Sequence, residues 1–150
     1  MNTLLTAEAI PPMEENHLRL VRQLEKHLSR EEQIRLDTHH TIHGGIYTRT
    51  ITMPERTVMT GALVKVNTTL VFAGVATAYV GGRSVFFDGY GVIPALAGRK
   101  QAFVAHSETH ITMMFATEAK SVREAEEEFT DETDMLVSRS GNNTVVITGA

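Results

Sequence analysis

GALVKVNTTLVFAGVATAYVG, residues Gly61 to Gly81, is the stretch that decides the fold. Val and Thr fill its first half, and Leu70 to Val80 is almost continuously apolar, broken only by Gly74. β-branched residues suit a pleated strand, and an apolar run of this length fits a strand covered on both faces. The stretch therefore reads as two or three short strands. It contains no His, Asp, Glu or Cys. A metal-dependent activity therefore cannot be argued from it.

The same period continues outward. Gly45-Ile46-Tyr47-Thr48-Arg49-Thr50-Ile51-Thr52-Met53 alternates as a half-buried strand does, and Pro54 ends it. Thr57 to Thr69 is strand-like. On the other side, Gly81-Gly82 signals a hairpin, and Asp88-Gly89 reads as a second tight turn before a strand over Tyr90 to Ile93. Pro94, Gly98 and the pair Arg99-Lys100 read as a solvated loop. Gln101 to His106 and Thr109 to Phe115 supply two more strands. Many short strands with Gly turns between them predict a barrel or sandwich over 44–116.

The flanks change period. Residues 1–12 read as a loose arm ending in Pro11-Pro12. Leu18, Val21, Leu24, Leu28, Ile34 and Leu36 predict a helix over 13–36, with a capping-box spacing at Ser29 to Glu32 where it breaks and restarts. A second, short helix is predicted over 118–130, with Val122, Ala125 and Phe129 on one side. Residues 131–150 read as a polar tail. Within it Thr144 to Thr148 forms a last strand that completes a sheet edge or pairs with another subunit. The fold class is mainly β, and 1–150 is a single domain.

Composition excludes several functions. The formal net charge of −4 leaves no basic face for nucleic acid. Cysteine is absent, so there is no disulfide framework, thiolate nucleophile or thiolate metal site. The N-terminus lacks a signal-peptide pattern and no segment approaches a membrane span, so no membrane partner is expected and the origin reads as cytosolic. Ser, His and acidic residues occur without a nucleophile elbow, so a hydrolase has little support.

Several short motifs occur in a fixed order: Thr38-His39-His40-x-Ile42-x-x-Gly45-x-Tyr47-x-Arg49, then Met53-Pro54, Gly61, Pro94-x-x-x-Gly98-Arg99-Lys100, and Ala105-His106-x-Glu108-Thr109. In that order and spacing, over roughly residues 37–130, the chain resembles a cupin-like family of small bacteriophage and prophage proteins. The resemblance implies a double-stranded β-helix, a jelly-roll barrel with a helix on one or both flanks. It also implies a location in the cytoplasm of a bacterial host or in the virion. Some cupins bind a metal through two His and a Glu in a first motif and one His in a second. Here the first-motif neighbourhood reads Val64-Lys65-Val66-Asn67-Thr68-Thr69, and only His106 stands at the second-motif position. A divalent site needs about three protein ligands, so no metal and no other cofactor is expected.

Two clusters compete for a site. His39, His40 and His43 have a spacing that suits Zn²⁺ or Ni²⁺ in a loop, with His106 as a further ligand if a metal is held; partly exposed loop histidines are the preferred reading. His106, Glu108 and His110 share one side of an extended run. On a lumen-facing side they would form a ligand-binding or acid-base array, but a turn at Ser107-Glu108 would separate the two His. Finally, Phe86 and Phe87 are adjacent, and adjacent strand residues face opposite ways. Burying both requires a covered outer face, which predicts a homo-oligomer, a dimer above all. The residues favour a non-enzymatic, metal-free structural or interaction module, and the resemblance implies other virion proteins as partners. The alternative is a small-molecule-binding or metal-dependent enzyme using His106 with His110 or the His39/His40/His43 cluster.

Overall fold

The computed structural model describes residues 9–149. Helix α1 (Glu15–Leu28) precedes seven strands: β1 (Asp37–His43), β2 (Ile46–Met53), β3 (Val58–Thr60), β4 (Thr68–Tyr79), β5 (Ser84–Ala95), β6 (Ala102–Ala105) and β7 (Thr109–Ala116). Helix α2 (Val122–Phe129) and strand β8 (Asn142–Ile147) follow. No helix among the described residues is long and apolar enough to cross a membrane.

Antiparallel pairing is nested: β4 with β5, β3 with β6, and β2 with β7. One long hairpin, folded over on itself, gives this pattern. It is the jelly roll, or double-stranded β-helix, that the strand spacing and the resemblance predict. β4 also pairs with β6 and β7, which curls the strands into one continuous sheet. Each strand turns alternate residues inward. On β4, Leu70, Phe72, Ala76 and Ala78 are buried, and on β7 so are Ile111, Met113 and Phe115. The rings of Phe72 and Phe87 lie 4.4 Å apart at the centre of the core. Full burial of a side chain of this size contributes about 1.5–3 kcal/mol.

The structure corrects several expected boundaries. α1 ends at Leu28 instead of running to 36. The Ser29 hydroxyl turns back to donate to the Lys26 carbonyl at 2.7 Å, and Gln33 Nε2 donates to the Leu28 carbonyl, so this Ser closes a helix instead of opening one. The sheet begins at Asp37, not 44, which places His39, His40 and His43 on a strand. Asp88-Gly89 is no turn: it pairs with Val75 and Gly74 inside a continuous β4–β5 ribbon. Gly74 has φ +142, and a Cβ there would crowd Thr109 and the Glu108 carbonyl, so Gly74 marks a close approach of β7's entry instead of a reversal.

The ends are more ordered than expected. The arm's residues 1–8 lie outside the described residues, but Ile10 is buried and bonds β5 through its N–H to the Pro94 carbonyl at 2.8 Å. The polar tail folds into two short 3₁₀ turns at Thr133–Met135 and Val137–Arg139. It then lays β8 parallel to β1, with Asp37 opposite Asn142. Gly141 permits that docking, because any Cβ there would run into the Leu36 carbonyl.

Candidate functional site

Among the described residues, neither histidine cluster brings three potential ligands together. Alternation along β1 sends His40 into the core and leaves His39 and His43 exposed on the other side. His43 Nδ1 meets Thr148 Oγ1 at 2.6 Å. A bend at His106-Ser107 separates β6 from β7, and His106, Glu108 and His110 are all exposed outside the barrel. His106 Nε2 bonds Thr77 Oγ1 at 2.7 Å and its ring packs near Phe86, while His110 lies 3.5 Å from Glu108 and 3.1 Å from Thr52 Oγ1. Among the described residues no three His, Asp or Glu side chains gather where they could hold a metal ion.

His40 serves the core. Its Nε2 donates to Asn143 Oδ1 and its Nδ1 accepts from the Tyr47 hydroxyl, each at 2.7 Å. Burial holds its pKa below the ordinary imidazole range, against the opposing pull of Asn143. Burial likewise pushes the Tyr47 phenol up.

Three cations are buried, and their surroundings differ. Arg49 occupies an inward position on β2, between Tyr47 and Met53. It pairs with Glu126 at 3.1 Å, reaches Ser138 Oγ at 3.3 Å and lies over the Phe129 ring. Arg139 also reaches Glu126 at 3.1 Å. Lys100, fully buried, donates to Glu25 of α1 at 2.9 Å and to Glu132 at 2.8 Å. Burial alone would raise the Glu132 carboxyl. The Lys100 hydrogen bond, the Leu63 N–H and the charges of Lys100 and Arg22 outweigh that and hold it below the carboxylate norm.

Arg99 is the exception. It is 1% exposed, yet no carboxylate stands within 4.0 Å of it among the described residues. Its Nη1 donates to the Leu96 carbonyl at 2.8 Å and its Nη2 to Thr68 Oγ1 at 2.5 Å. Burial pulls its pKa down to about 10. Two residues on, Gln101 is also buried, and its Nε2 has no hydrogen-bond partner. The segment carrying both is strapped along the opening stretch of sequence: Gly61 N–H donates to the Gln101 carbonyl and Val64 N–H to the Arg99 carbonyl. Extended backbone sends Arg99 and Gln101 to one side and Lys100 to the other.

Arg99, Gln101 and Arg49 line an interior cavity of about 90 Å³. Its other walls are apolar, including Leu70, Phe103, Ile111 and Met113. The expectation of a solvated loop at Arg99-Lys100 is thus overturned, because the two pinning bonds to residues 61–64 draw it into the wall. Arg49, Glu126 and Gln101 were not singled out from sequence as site residues. The signal for Arg49 was present, since it interrupts the apolar side of an alternating strand and a cation there must find a buried partner.

No family model matches the chain, and no curated protein matches it. Solved structures similar to it include a cupin superfamily protein of Desulfitobacterium hafniense, at 10% identity and TM-score 0.48, covering 75% of this chain and 100% of that one. A conserved protein of unknown function from Streptococcus pyogenes matches at 10% identity and TM-score 0.44, over 59% of this chain and 79% of that one. A variant of salicylate 1,2-dioxygenase from Pseudoaminobacter salicylatoxidans matches at 9% identity and TM-score 0.47, over 82% of this chain and 40% of that one. At such identities and scores these likenesses bring no substrate, metal or partner to this chain.

Proposed function

We propose that this chain is a non-enzymatic jelly-roll module that works by self-association, the outer face of its β2-β7-β4-β5 sheet packing against the same face of a second copy. The observation that carries this reading is the row on β5, where Phe86 is 52% exposed and Val92 46%, with Val104 of β6 at 37% on the far side of Thr77. A monomer rarely leaves such side chains contiguous on one surface. Phe87 fills the core while Phe86 points out, so the outer layer that the Phe86-Phe87 pair predicts must come from elsewhere.

The charge of this face favours a second copy over other occupants. Outward positions on the four strands are mostly Thr, Val and Ala, with Asp88 the single formally charged side chain among them. Two copies meet there without bringing a charged surface against its like. Phosphate backbones would find no lysine or arginine. An isologous pair is also the simplest closed assembly. The resemblance to phage and prophage proteins adds a setting: a self-assembling jelly roll serving as a virion component in an infected bacterium.

Light scattering on the purified protein at micromolar concentration tests the core of this reading. The expected result is twice the chain mass, reverting to the chain mass in Phe86→Asp. A stable monomer would overturn the proposal, and an unaltered dimer in F86D would show that this face is the wrong one. Mass spectrometry of purified virions tests the setting separately.

A further inference from the structure

We propose that the barrel interior is a binding site for a small monocarboxylate with a short apolar tail, held by Arg99 and Gln101. This does not depend on the outer face, since the two sites lie on opposite sides of the sheet.

An isolated buried charge is among the costliest features a fold can carry, and chains normally supply a counter-ion. This chain does so for Arg49 and for Lys100 but not for Arg99. A guanidinium has five N–H donors. Two are engaged, by the Leu96 carbonyl and Thr68 Oγ1, which fix the plane of the group and leave donors over. Gln101 lines the same cavity, and its Nε2, itself closed off from solvent, has no hydrogen-bond partner to hold it there. Paired guanidinium donors match the two oxygens of a carboxylate.

Charge and size narrow the ligand. Glu126, shared with the half-exposed Arg139, pairs with Arg49, so among the charges lining the cavity Arg99 is the one without an acid beside it. A monoanion balances it. A phosphate dianion would leave net negative charge against Leu70, Phe103, Ile111 and Met113. With a pKa of about 10, Arg99 stays charged at neutral pH. The volume of about 90 Å³ equals the share of roughly three liquid waters, room for an acid of a few carbons.

The test is calorimetric titration and thermal shift of the full chain with acetate, propionate, butyrate and isovalerate, beside butyramide and inorganic phosphate. The expected result is saturable binding of at least one carboxylate with one ligand per chain. Its Tm shift should grow with the logarithm of ligand concentration, and butyramide should have no effect. Arg99→Met should weaken binding at least about tenfold, or about 1.4 kcal/mol. Gln101→Leu, which leaves the cation in place, should weaken it less and serves if R99M folds poorly. Absence of saturation by every carboxylate up to about 10 mM overturns the proposal, since that limit is weaker than the weakest specific binding expected. Equal binding of butyramide, tighter binding of phosphate, or undiminished binding by both variants would overturn it too.

Discussion

Arg99 and Lys100 are consecutive, both are buried, and they lead into opposite regions of the molecule. Lys100 points away from the cavity into a seam between α1 and the segment after α2, where Glu25 and Glu132 close around its ammonium. Arg99 lines the cavity, and its guanidinium meets a carbonyl and a hydroxyl but no acid. The seam is a finished ion-pair network. It ties residues 25, 100 and 132, far apart in sequence, into one structure. The cavity is unfinished by the same standard. A buried charge answered by its own chain reads as architecture, and one left unanswered reads as a place for something else.

The largest effect should come from the seam. Lys100→Met strands two carboxylates, Glu25 and Glu132, in a partly buried setting. Urea unfolding should show a loss of about 3 kcal/mol, toward the lower end of what breaking a buried pair costs because both acids keep some exposure. Arg99→Met strands no acid and fills part of the space with an apolar chain. Without ligand it should change stability by less than about 1 kcal/mol in either direction. Equal losses in the two variants would break the comparison, because Arg99 would then have a structural partner that its surroundings do not show.

The barrel was legible because its signals are local. Alternation over Gly45 to Met53 and the apolar run after Leu70 each name a strand without knowledge of its neighbours. The candidate site was less legible. Gly98-Arg99-Lys100 carries the composition of a solvated loop, and only the bonds from Gly61 and Val64 pull it into the barrel wall. The His39-His40-His43 spacing suggests a cluster, but the strand begins early enough to send His40 inward alone. Ser29 to Glu32 has the spacing of a helix start, yet it lies where a helix stops. For Arg99 and His40 the partner that decides the environment lies far along the chain, whereas Ser29 turns on bonds within its own segment, from its hydroxyl to Lys26 and from Gln33 to Leu28.

The smallest predicted effect separates core from seam by pH. His40 has its folded-state pKa lowered by burial, so below about pH 6.5 the unfolded chain binds more protons than the folded one. Its contribution is complete above that value and declines as pH falls. Glu132, also lowered, gives up its contribution only as pH falls below about 4.5. Thermal unfolding followed downward from neutral pH should therefore show two successive declines, the first from the β1 core and the second from the Lys100 seam. His40→Gln keeps a polar group between Tyr47 and Asn143 but cannot titrate, so it should flatten the first decline and leave the second. Glu132→Gln should do the reverse, at some cost to the Lys100 pairing at every pH. If H40Q left the first decline unchanged, that decline would not originate in the β1 core, and the order of the two regions in acid would no longer follow from their burial.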